Sequence, residues 1–168
     1  MPSNALVVSA VAAATAVAAV VDLRTRRVPN WLTLGVAAAG VTMAATRIDG
    51  VGVAGAFEGL AVGLLLMMPG YVFGKTGAGD VKLLAAVGTM LGPRSIAMAF
   101  LYTAVAGGVL AVVVASRRHR LRETLEGTAT LVSTRGANAA DLEKPSTDNR
   151  FAYAPAIAVG AVIAAFGL

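Results

Sequence analysis

Cysteine is absent from this 168-residue chain, and histidine occurs once. The first absence excludes disulfides, a cysteine nucleophile and a cysteine zinc site; the second leaves no basis for a histidine metal centre. Charge is scarce as well: Asp, Glu, Lys and Arg make up 14% of the residues, against roughly 25% in a soluble globular domain. No positive residue precedes the first apolar run, Asn4–Val21, and a basic cluster follows it. A cleaved signal peptide has the opposite flanks, so the run is expected to be a retained span. What is abundant is apolar: hydrophobic residues make up 57% of the chain and the mean hydropathy is +0.76. The chain therefore reads as a single all-α integral membrane domain over residues 1–168. Its net charge of +5 would point to nucleic acid in a soluble protein. Here the basic residues cluster in linkers between apolar runs, as membrane orientation requires, and no nucleic-acid partner is expected.

Six apolar segments are expected to form a polytopic bundle of about six transmembrane helices. Asn4–Val21 covers about 27 Å at 1.5 Å per residue, close to the hydrocarbon thickness. Pro29 marks a turn after it, and Trp31 opens a second span reaching about Thr46. A third span runs from about Val51 to Phe73, with Gly55, Gly59 and Gly63 spaced for close helix packing. Tyr71 and Phe73 mark its exit interface. Val81–Leu91 is apolar but short and is interrupted by Gly92-Pro93-Arg94. Ser95–Ala115 and Phe151–Leu168 complete the set, with Pro155 tolerable in the first turn of the last. Between them lies one long polar loop, 116–150. Leu121, Leu125, Leu131 and Val132 fall near one side of a basic amphipathic helix that also carries Arg117, Arg118, Arg120 and Arg122, suited to lying on anionic lipid. His119 reads as one more polar residue of that loop.

Charge decides whether the short fourth segment crosses. If all six segments cross, 12 of the 14 Lys and Arg share one side, with only Arg47 and Arg94 opposite. If the fourth does not cross, the seven from Arg117 to Arg150 change sides. The positive-inside rule favours six crossings, both termini outside, and Asp22 and Asp80 at the cytoplasmic face.

Those two aspartates are the candidate site. Asp22 ends the first span; Asp80 opens the fourth, behind the loop Gly74-Lys75-Thr76-Gly77-Ala78-Gly79. Either carboxylate alone reads as a solvated interfacial charge, whereas two on one face, one led in by a glycine loop, read as a site. Two adjacent carboxylates share a proton at moderate pH, so one can activate water while the other polarises a peptide carbonyl. Gly77 and Gly79 would permit positive φ and close approach of an extended substrate backbone. No metal or cofactor is called for. The contrasting reading is a small transporter or channel with the two aspartates as a proton or cation relay, although neither lies at mid-membrane, where transporters place their sites. Gly70-Tyr71-Val72-Phe73-Gly74-Lys75-Thr76 imitates a phosphate loop but has three residues between its glycines where the motif needs four. Glu58 falls toward the opposite face of the third span and is no third catalytic carboxylate.

The stretch Gly77-Ala78-Gly79-Asp80-Val81-Lys82 resembles the GxGDxK signature of the type IV prepilin peptidases, the A24 family of GxGD membrane aspartic proteases. Asp22 through Val28-Pro29-Asn30 is similar to the segment around that family's other catalytic aspartate, and Tyr153 through Gly160 resembles its last span. The resemblance implies a GxGD aspartic protease fold with Asp22 and Asp80 as the catalytic pair. It also implies roles in substrate binding or loop support for Gly77, Gly79, Lys82, Pro29 and Asn30. The implied reaction is removal of short basic leaders from type IV prepilin or pseudopilin precursors at the cytoplasmic face of the inner membrane. With no cysteine and no domain before its first span, the chain resembles the short peptidase-only members of Flp-pilus systems, without N-methyltransferase activity. A non-catalytic pilus assembly component is the remaining alternative on this fold.

Overall fold

The computed structural model describes residues 2–25, 27–48, 50–74, 76–117 and 153–167. They form five helices: α1 (Pro2–Thr25), α2 (Asn30–Ala45), α3 (Gly52–Val72), α4 (Ala78–Arg117) and α5 (Ala154–Ala165). There is no strand among the described residues, as expected where lipid offers backbone amides no partner outside their own helix. Contacts divide the chain into two compact units. The first, Met1–Gly107 with Ala152–Leu168, holds Asp22, Asp80 and the helices packed around them. The second, Gly108–Phe151, is described only where α4 continues to Arg117. The polar loop 116–150, its basic amphipathic helix and His119 lie almost wholly outside the described residues.

The helix ends follow from local sequence. Pro29, at φ −72° and ψ 148°, is extended as a proline N-cap must be. Its carbonyl accepts the amides of Leu32 at 3.1 Å and Thr33 at 3.4 Å, which starts α2. Gly74, at φ 69°, stops α3 in the left-handed conformation that only glycine adopts cheaply. Just beyond, the Thr76 amide returns to the Gly70 carbonyl at 3.0 Å, and the Thr76 hydroxyl packs where a Gly70 side chain would stand. The phosphate-loop lookalike is therefore a helix C-terminus closed on itself.

Helix α4 is two arms. Gly92, at φ 75° and ψ 175°, is not helical and lies against the Val51 side chain at the start of α3. The inner arm, 78–91, runs beside α3 from one end to the other: Gly63 packs on the Leu84 carbonyl, and Gly59 and Gly88 face each other backbone to backbone. The second arm comes back. Gly107 packs on the ring of Tyr153, beside which Asp80 lies, so the chain has reversed at Gly92. Helix α5 then pairs with the returning arm through Gly160 on Thr103 and Ala99, and with α1 along its length.

The inner arm is the centre of the bundle. Every residue from Leu83 to Gly92 is buried, the mark of a helix that is apolar all round. Lipid tails remove the hydrophobic drive between helices, so dispersion and close backbone approach must hold them together. That is why glycines meet glycines here. Gly59 and Gly63 perform the packing expected of the stripe on α3. Gly55 does not: a side chain there would meet only Val51 of its own helix, because α3 has turned it away from the inner arm.

Exposure is inverted relative to a soluble protein. Leu6, Leu23, Leu34, Phe57, Leu65 and Val105 are exposed, whereas Asp22, Asp80, Thr15 and Thr89 are buried. Among the described residues three helices are long and apolar enough to cross a membrane: Ala5–Thr25, Gly52–Val72 and the 36-residue stretch Ala78–Val113, which contains the reversal. This is a membrane protein. Buried Thr15 and Thr89 are satisfied within their own helices, on the Val11 and Ala86 carbonyls, both at 2.7 Å, whereas the buried Thr103 hydroxyl, packed against Gly160, has no hydrogen-bond partner among the described residues. Glu58 is exposed on α3.

Candidate active site

Asp22 belongs to a stripe. Val11, Thr15, Ala18 and Asp22 are the buried residues of α1 among those described, and their spacing of three to four puts them on one face. Helix α1 continues past Val21 to Thr25, so Asp22 sits inside its last turn, 5% exposed, rather than just beyond the span. Opposite it, α5 begins. The Ala154 amide, free of a helical partner because it lies in a first turn, donates to Asp22 Oδ2 at 3.4 Å.

Asp80 is in the first turn of α4 and is 8% exposed. The Gly77 carbonyl accepts the amides of Asp80 at 3.1 Å and Val81 at 3.3 Å, and the Gly77 N–H in turn bonds to the Asp80 carboxylate. This is half of a capping box: the aspartate at the third helical position reaches back to the N-cap amide, while Gly77 has no side chain to return the bond. The two aspartates are close enough for the charge of Asp22 to act on Asp80, and that of Asp80 on the Tyr153 hydroxyl. Two carboxylates, one amide and one phenol thus meet at one end of the bundle.

The glycines of the loop act differently from expectation. Neither Gly77 nor Gly79 has positive φ; Gly74 takes that role. A side chain at Gly77 would come within 3.2 Å of Asp80 Oδ2. At Gly79, the second residue of α4, it would meet Val28 Cβ at 3.0 Å and the Val28 carbonyl at 3.2 Å. The close approach is thus to the chain's own segment before α2, because α4 must lie on Val28 to bring Asp80 toward Asp22. Pro29 holds that segment extended. Asn30 follows it, and its Oδ1 accepts from Lys82 Nζ at 3.0 Å, tying the start of α2 to the start of α4. No cluster of three or more His, Cys, Asp or Glu able to hold a metal occurs among the described residues.

Residues 9–112 match the family model described as the type IV leader peptidase family. The chain belongs to that family. It is accordingly a peptidase of the leader-peptidase type, and the matched stretch carries Asp22, Asp80 and the loop between Gly77 and Lys82. No curated protein and no solved structure matches the chain. Tyr153 and Ala154 lie beyond the stretch that identifies the leader peptidase family. The sequence marks them through the resemblance of Tyr153 to Gly160 to the family's last span, and through Pro155, at the first or second helical position of α5. Such a proline starts a helix and leaves first-turn amides unpaired, which is the signal that could have located them.

Proposed function

We propose that Asp22 and Asp80 are the catalytic pair of a membrane-embedded aspartic endopeptidase. Its substrates are type IV, Flp-like prepilins or pseudopilins, whose leaders it removes at the cytoplasmic face of the inner membrane. The observation that carries this reading is the meeting of two buried, electrostatically coupled carboxylates at one end of a bundle in a family of leader peptidases. Two carboxylates buried together cannot both ionise without a cost of several kcal/mol, so the pair holds one proton. The ionised member takes a proton from water as the oxygen attacks the scissile carbonyl carbon; the protonated member gives its proton to the carbonyl oxygen. Collapse of the tetrahedral intermediate breaks the C–N bond, and the proton taken from water passes to the leaving amine.

Six crossings, counting both arms of α4, put 12 of the 14 Lys and Arg on the side of Asp22 and Asp80, which assigns that side to the cytoplasm. A position at the end of the bundle suits a peptide bond presented at the membrane surface better than it suits a transmembrane ion relay. The test is co-expression with a precursor made of a basic leader, a glycine and an apolar helix. Wild type should shorten the precursor, while Asp22→Asn and Asp80→Asn should each leave it full length. Processing that persists in either variant, at wild-type membrane levels, would overturn the assignment.

A further inference from the structure

We infer that the groove between α2, α3 and the inner arm of α4 binds one anionic phospholipid, with Lys82 holding the headgroup and one acyl chain lying in the groove. The groove has a volume of about 350 Å³ and is lined by Asn30 and Lys82 at one end and by apolar side chains beyond. Leu34 and Ala37 of α2, Leu60 and Leu64 of α3, and Ala85 of α4 recur at helical spacing, so the groove follows the helix axes. From Asn30 to Ala37 it extends about 10 Å into the bundle. Small alanines form its floor, and Leu34, 73% exposed, stands at its lateral rim.

Lys82 gives the groove a charged end. Its ammonium donates to the neutral Asn30 Oδ1 at 3.0 Å, leaving two of its three donors for another acceptor. Asp80, two residues earlier, is displaced by about 200° around the helix, so Lys82 points away from the buried carboxylates. Among the described residues no carboxylate forms an ion pair with it, and it is exposed. A lysine near a helix end lays its methylenes along apolar surface and lifts its ammonium to headgroup level. Arg24 and Arg27, exposed at the same end, add positive potential that favours a net negative headgroup over a zwitterionic one.

The groove is open along its side, and an acyl chain, far thinner than a helix about 10 Å across, lies in it without displacing its walls. This proposal needs only that the protein is in a membrane and is independent of which residues cut peptide bonds.

The test uses full-length protein reconstituted with equal phosphatidylglycerol and phosphatidylcholine, taken into detergent and analysed for retained lipid by native mass spectrometry. Wild type should retain one phosphatidylglycerol, about fivefold over phosphatidylcholine, the preference one lysine confers. Lys82→Gln should abolish the preference and Lys82→Arg should keep it, a comparison that separates charge from folding. Ala37→Phe, filling the groove, should lower retention of both lipids, and millimolar inorganic phosphate should displace neither. A photoreactive residue at Leu64 should form an adduct with the mass of a phospholipid. An unchanged preference in Lys82→Gln, displacement by phosphate, or a Leu64 adduct to a second copy or to a precursor would overturn the proposal.

Discussion

Single atoms govern the site at the residue scale. A methyl group at Gly79 must enter the 3.0–3.2 Å space held by Val28 Cβ and the Val28 carbonyl. Backbone cannot yield as a side-chain tip can, so Gly79→Ala should cost about 1–3 kcal/mol and lower peptidase activity with it. Thermal unfolding in detergent and precursor processing measure the two effects. Gly77→Ala meets only the Asp80 carboxylate, at 3.2 Å; it should leave stability nearly unchanged while reducing kcat. Tyr153→Phe keeps the ring on Gly107 and removes the hydroxyl beside Asp80. Processing should continue, with one limb of the bell-shaped pH–rate profile displaced and with thermal stability near wild type. On the proposed mechanism, both limbs of that profile belong to the carboxylate pair as a unit. The aspartates, Gly77 and Gly79 stand out as candidates from type and order alone. What each glycine does is not legible there, because a loop glycine and a contact glycine look the same until the partner, here Val28 or Asp80, is known.

At the scale of the element, α4 carries the strongest constraint. Gly59 and Gly88 exchange places that no Cβ can share, since each would collide with the other's carbonyl. Gly59→Ala and Gly88→Ala should each destabilise the fold by more than Gly79→Ala does. Gly35→Ala is the control: nothing lies within 4 Å of a Cβ there, so alanine should be neutral or stabilising by up to about 1 kcal/mol. Melting temperatures of the four variants in one detergent check this order, and equal losses at Gly35 and Gly59 would contradict it. Gly92→Ala forces a side chain into φ 75°, ψ 175°, a region open essentially to glycine alone, costing about 1–3 kcal/mol, and should loosen the reversal between the arms. The break itself was legible, because Gly92-Pro93 interrupts an apolar run. Not legible was that the short segment 81–91 is the buried centre: its composition resembles that of its neighbours, and only their positions around it make it so.

For the whole molecule, orientation is the testable quantity. Because the chain has no cysteine, a single introduced thiol reports its own side. In intact cells Arg47→Cys and Arg94→Cys should react with a membrane-impermeant maleimide, whereas Arg24→Cys and Arg135→Cys should react only after permeabilisation. Opposite sidedness of Arg24→Cys and Arg135→Cys would mean an odd number of crossings between them and would refute the six-span reading. The sequence by itself determined the membrane class, the six apolar segments and the choice of two aspartates. Hydropathy, turn residues and charge asymmetry are local properties, written residue by residue along the chain. Only the tertiary structure decided that Asp22 continues the buried stripe of α1 and that the Ala154 amide meets it. It also decided that Tyr153 lies beside Asp80 and that Lys82 turns away from both carboxylates toward Asn30. These are facts of rotation and of helix-to-helix distance. They arise when packing chooses which face of each helix turns inward, and no one segment's sequence specifies that choice.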